Sequence, residues 1–181
     1  MVKRIDLRAY QDNIAGRLAA AQAGATTPAL LGFEAGGAHW LVDLPAAGEV
    51  LPVPPLTPVP LTRPWFAGLA NVHGELESVV DFALFRGGAP TPRDAHARLL
   101  RIGAKSGANM ALLVGRVHGL KHADGLFVAD GDASAAAWCG ETFADAQGQH
   151  WTRLELDRLL ADPLFLDAAL PAATGDQPTP R

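Results

Sequence analysis

Polar and apolar positions change period along this chain. Residues 5–22 carry Ile5, Ala9, Ile14, Leu18 and Ala21 near helical spacing with Asp6, Asp12 and Arg17 between them, which predicts an amphipathic helix ending before Gly24. From Ala29 the period shortens to two. Leu30 to Glu34 and His39 to Leu44 flank Gly36 and Gly37, the pattern of a β-hairpin with glycines at its turn. Between Pro45 and Pro64 seven prolines recur, and proline offers a sheet no donor, so this stretch should be an extended or edge connection. Val50, Leu51, Val53, Leu56, Val59 and Leu61 interleave with them, as packing along an edge requires and a solvated PxxP ligand does not.

A second hairpin is predicted from Trp65 to Phe82, with His73 and Gly74 at its tip and polar residues displayed there. Residues 83–88 close this first unit. A second β-set follows at Arg98–Ile102, Asn109–Val114 and Leu126–Val128, with a final strand over 148–153 and a short helix over 154–160 before Pro163. Two successive β-sets of similar size predict a mainly β chain of paired barrels. The expected organisation is a helix over 1–26, one domain of two subdomains over 27–166, and a disordered tail over 167–181, where Pro171, Pro178 and Pro180 recur.

Composition narrows the function. With 15 Lys and Arg against 19 Asp and Glu, the formal charge of −4 supplies no basic field, which excludes duplex binding by counterion release. Cys139 is the single cysteine, so no internal disulfide forms, and its expected role is that of a small apolar filler. No run approaches the roughly 18 apolar residues that span a bilayer. Charged and polar residues also interrupt positions 1–20 and leave no signal-peptide core, so a cytoplasmic location is expected.

Catalytic patterns fail one by one. His118 and His122 stand four apart, but Gly119 between them argues against the helix whose face they would share, and His39, His96 and His150 stand alone in sequence; no metal site is expected. The segment 103–107 has Lys105 and Ser106 but Ala104 where a phosphate loop needs glycine, and no Gly-x-Ser-x-Gly occurs. Glu75, Glu77 and Asp81 fall on one strand face with Val79, and a solvated face is the expectation for them. No cofactor is expected.

The stretch from Glu49 to Phe82 resembles the first half of a CheW-like domain, the adaptor module of bacterial chemosensory arrays. That family carries an acidic residue in a V-x-E-[IV]-like segment, then a proline, then G-[VI]-x-N-x-R-G, then a hydrophobic strand ending in a D-[LF] pair. Glu49-Val50, Pro60, Gly68 to Gly74, and Val79-Val80-Asp81-Phe82 stand in those places. The signature arginine is His73 here, a titratable ring in place of a permanent planar cation, and Ser78 replaces the proline of the P-V-[IV]-D segment. Asp145, Gly148, Trp151, Leu154, Leu156, Leu159, Leu160 and Phe165-Leu166 are similar to the type IV pilus branch of the family, as are Leu7 to Gln11 and Ala15 to Leu18.

The resemblance implies two SH3-like five-stranded β-barrels side by side, with an N-terminal and a short C-terminal helix. It implies a non-enzymatic scaffold that couples a methyl-accepting chemoreceptor to the regulatory domain of a CheA-type histidine kinase, controlling twitching motility. Partner-binding residues would be Glu49, Asn71, His73 and Gly74 at the hairpin, with Val79 and Val114 at a groove between the barrels. Glu49 and His73 are expected to pair. A flagellar CheW is the alternative, sharing the core but usually lacking the long N-terminal helix; a small β-barrel enzyme would need a constellation the sequence lacks.

Overall fold

The computed structural model describes residues 29–102, 109–131 and 135–170. The expected N-terminal helix, the segment 103–107 and residues 171–181 lie outside the described residues. The strands are β1 (Ala29–Ala35), β2 (Ala38–Asp43), β3 (Val50–Pro52), β4 (Phe66–Val72), β5 (Glu75–Asp81) and β6 (Arg98–Arg101). They continue as β7 (Met110–Val114), β8 (Arg116–His122), β9 (Leu126–Ala129), β10 (Cys139–Asp145) and β11 (His150–Leu154).

Two sheets result, one of six strands in the order β8-β1-β2-β11-β10-β9 and one of five in the order β3-β6-β7-β5-β4. The grouping corrects the expectation of two successive sets of five strands. The middle of the chain builds the five-stranded sheet, and β1 and β2 leave their sequence neighbours to join β8 to β11. Periodicity reports which faces a strand buries but not which strand it joins. Both predicted hairpins form, β1 with β2 and β4 with β5. The proline-rich stretch supplies β3, a short strand at the sheet's edge, as its missing donors require. An isolated bridge between Thr57 and Leu69 then ties the chain beyond β3 to β4, the opposite edge.

Alternation along each strand sorts the apolar residues into separate cores. Val79, Leu99, Ala111 and Leu113 turn toward Leu51, Val53 and Leu56 in the five-stranded sheet's own core. Their neighbours Val80, Leu100, Leu112 and Val114 turn the other way and meet Leu31, Phe33, Trp40 and Val42 of the six-stranded sheet. Leu30, Leu41 and Trp151 form a third cluster on that sheet's other face. A strand covered on both sides reads as an unbroken apolar run, which is why 109–114 shows no alternation. Cys139 packs half-buried against the core between the sheets.

Local helices differ in detail from expectation. A single turn, Leu44–Ala47, opens the proline-rich stretch with Pro45 in its first turn, where a missing N–H costs nothing. Leu154 completes β11, so the C-terminal helix is Leu156–Leu160, followed by a second turn at Pro163–Leu166. The first residues of the expected tail are held against the body of the domain. Arg63 N–H donates to the Ala168 carbonyl at 2.8 Å, Leu170 N–H to Leu61 at 2.9 Å, and Arg63 pairs with Asp167 at 2.8 Å.

The Asp145, Gly148, Trp151 spacing acquires a physical meaning at the β10–β11 turn. Asp145 accepts from the Trp151 indole N–H at 3.0 Å and from the backbone N–H groups of Gln149 and Gln147 at 3.0 and 3.1 Å. The Trp151 hydrogen bond first, and those backbone donors after it, hold the Asp145 carboxyl below the usual carboxylate range. A depressed folded value stabilises the fold above the unfolded value of about 4, and that contribution disappears as pH falls through the folded value. Asp145→Asn is therefore expected to flatten the acid limb of stability. Urea unfolding of both proteins from about pH 7 down to about pH 3 checks it; parallel acid limbs would remove Asp145 from the account.

Candidate partner-binding surface

Glu49 ends the proline-free approach to β3, and its carbonyl accepts the Arg101 N–H at 2.8 Å, which registers it beside β6. Across the sheet, β4 and β5 turn through His73 and Gly74. His73 sits in the left-handed region at φ 54°, one of two non-glycine residues among those described to do so. The Asn71 side chain accepts the Gly74 N–H at 2.9 Å and closes the turn. That conformation swings the imidazole over Glu49. Its Nε2 stands 3.2 Å from each Glu49 carboxylate oxygen, with both side chains substantially exposed.

The tip holds a second charged group that the sequence did not announce. Arg101 donates from Nε to Glu77 Oε1 and from Nη2 to Glu75 Oε2. The Glu75 hydrogen bond, ahead of that to Glu77, raises the guanidinium above its ordinary value. Glu77 is only 1% exposed, and its second oxygen has no hydrogen-bond partner, so Arg101 is what makes a carboxylate tolerable there. Asp81 is buried too, accepting from Thr91 N–H at 2.8 Å, Thr91 Oγ1 at 2.7 Å and Leu84 N–H at 3.2 Å. The solvated face expected for this strand is therefore corrected at Glu77 and Asp81. Both point inward, Glu77 against Arg101 from another strand and Asp81 against Thr91 and Leu84 of the chain that follows it.

Glu49, Asn71, His73 and Gly74 converge at one end of the five-stranded sheet as expected. Val79 and Val114 do not join them. Both are fully buried, Val79 in the core of the five-stranded sheet and Val114 between the sheets, so neither offers a surface to a partner. The space expected to be a groove at these positions is filled by packed side chains. What the tip does expose beyond the expected set is Glu75 and Leu76, the latter paired in register with Asn71 and 62% exposed. Three carboxylates around one permanent cation give the tip an acidic character, which His73 offsets only while protonated.

Two sheets packed across a shared core, with a charged hairpin set at the end of the smaller, define a mainly β domain organised around a displayed turn. The model of the CheW-like domain matches residues 29–163, and the chain belongs to that family. Protein PilI of Pseudomonas aeruginosa is 29% identical over 118 residues, which is 65% of this chain and 66% of PilI, just under two thirds of that relative's length. The scaffolding protein TtCheW of Thermoanaerobacter tengcongensis is similar in fold, with a TM-score of 0.60 at 15% identity, covering 71% of this chain and 89% of that one. No helix among the described residues is long and apolar enough to cross a membrane.

Proposed function

We propose that the chain is a non-enzymatic adaptor that couples methyl-accepting chemoreceptors to a CheA-type histidine kinase, in the cytoplasm at receptor arrays, with output to type IV pilus twitching motility. The observation that carries this reading is the Glu49–His73 pair at the family's signature hairpin. Histidine stands there at the place of the arginine in the motif that the chain resembles, 3.2 Å from the Glu49 carboxylate. Each sheet stands for one SH3-like barrel, the finer form of the two-sheet architecture. Similarity to PilI, together with the Asp145, Gly148, Trp151 turn, favours the pilus branch over the flagellar one. An adaptor needs no chemistry of its own. By binding one state of receptor and kinase more tightly than another, it turns receptor conformation into kinase activity.

Substitutions at the tip test the reading. An exposed pair is worth about 0–1 kcal/mol to folding, so Glu49→Arg should melt close to the wild type while losing kinase or receptor affinity tenfold or more. His73→Arg should retain binding, because guanidinium restores the family's own partner for the carboxylate. The charge swap of Glu49→Arg with His73→Glu should recover part of the loss. Pull-downs with the kinase regulatory domain and a receptor tip read all three. Undiminished binding of Glu49→Arg to both partners would place the contact elsewhere.

A further inference from the structure

On the other sheet, three chemistry-bearing side chains from three different strands meet. Glu34 on β1 faces His39 on β2 in register. On the other flank, β1 pairs with β8 through a bulge: Gly32 opposes Gly119 and Phe33 opposes Val117, which leaves His118 as the extra residue. Val117 packs on the core between the sheets, so its neighbour His118 is turned to the opposite side, where Glu34 and His39 lie. Bulges re-aim single side chains in this way and recur beside functional sites. His39 and His118 are far apart along the chain, and spacing alone sets His118 beside His122.

We propose that Glu34, His39 and His118 are the three protein ligands of a mononuclear Zn²⁺ site. Their ligand atoms all lie within 4.8 Å of one another, whereas a tetrahedral zinc with nitrogen and oxygen ligands draws them to about 3.4 Å, a gap that small side-chain rotations close. His118 Nε2 stands 3.7 Å from Glu34 Oε2, beyond hydrogen-bond reach though within the distance of an ion pair when the imidazole is protonated, and such a pair would not by itself include His39.

The rings are also held in place from behind. Trp151, 3% exposed, meets His39 edge-to-face at 4.9 Å and His118 at 5.6 Å between ring centroids, and the two imidazoles stand 5.2 Å apart. Trp151 is itself fixed by Asp145, and the nearby cation Lys121 is engaged with the Trp151 ring at 4.4 Å and with Asp145 at 3.6 Å. The result is a triad on a rigid sheet with an aromatic wall on one side and solvent on the other. Two imidazoles and one carboxylate suit zinc, and a fourth position stays open to water or to a donor from a partner.

Isothermal titration of zinc chloride into the full chain tests this. One equivalent is expected to bind with a dissociation constant on the order of micromolar or tighter. His39→Gln, His118→Gln and Glu34→Gln should each weaken it at least tenfold, while His122→Gln and His150→Gln leave it unchanged. Zinc should also raise the melting temperature of the wild type and not that of His39→Gln/His118→Gln. All three ligands are partly exposed, and Glu34→Gln is nearly isosteric, so melting without zinc shows whether each variant is folded. Absence of a binding heat, or zinc affinity retained in the double variant, overturns the proposal. Either result leaves the adaptor reading untouched, because the hairpin tip belongs to the other sheet.

Discussion

Gly68→Ala is expected to lose about 2–6 kcal/mol of stability, whereas Gly74→Ala, six residues along the same signature, loses about 1–2 kcal/mol. Both glycines have positive φ, 126° at Gly68 and 89° at Gly74. Only Gly68 is also crowded. A Cβ there would stand 2.4 Å from the Thr57 carbonyl oxygen, and that oxygen cannot retreat because it accepts the Leu69 N–H at 2.8 Å while Thr57 N–H donates back to Leu69. At Gly74 a Cβ meets nothing within 4 Å, which leaves backbone strain as the whole cost. The first glycine of the family motif thus serves the join between the two edges of the five-stranded sheet, and the last serves the turn. Urea unfolding of the two variants side by side checks this, and equal losses would contradict it.

Phe82→Ala should cost about 3–5 kcal/mol, and Phe82→Leu distinctly less, since leucine refills part of the cavity. Phe82 follows β5 directly, is fully buried, and lies against Phe33 at 6.0 Å, Trp40 at 5.2 Å and Trp138 at 5.6 Å between centroids. Phe33 and Trp40 belong to the other sheet, so truncation opens a void where the sheets meet. Its neighbour Asp81 meanwhile holds Thr91 and the first turn of the helix Phe82–Phe85. The Asp-Phe pair is thereby a mechanical joint in which the carboxylate fixes the crossing chain and the ring fixes the second sheet. Equilibrium unfolding by urea measures the loss; a change under 1 kcal/mol would mean that the sheets do not depend on this ring.

Sequence legibility followed the physics of each signal. Both hairpins could be read because turn glycines and alternation act locally, and the apolar run at β7 because both its faces are covered. β8 and β10 carry no such signal. Their residues are mostly exposed or half-buried, and Arg116, His118, Gly119, Lys121 and Glu141 break any apolar rhythm. Glu77 looked solvated because its burial depends on Arg101, a cation 24 residues away that only the β5–β7–β6 order brings alongside. The groove expected at Val79 and Val114 does not form, because the strand pairing packs Val79 with Leu99, Ala111 and Leu113 and packs Val114 with Leu100, Leu112 and Phe82. At the tip, Glu49 with His73 was legible from the motif offset, whereas Glu75, Leu76 and Arg101 needed the fold.

The central claim is that this domain works by holding partners. Calorimetric titration of the purified full chain with the regulatory domain of a CheA-type kinase from the same organism tests that claim most directly. Binding with a dissociation constant on the order of micromolar is expected, as suits an interface of standard size or smaller, and Glu49→Arg should weaken it tenfold or more. A folded protein that gives no heat with any such kinase domain, nor with the cytoplasmic tip of any methyl-accepting receptor of that organism, would contradict the account.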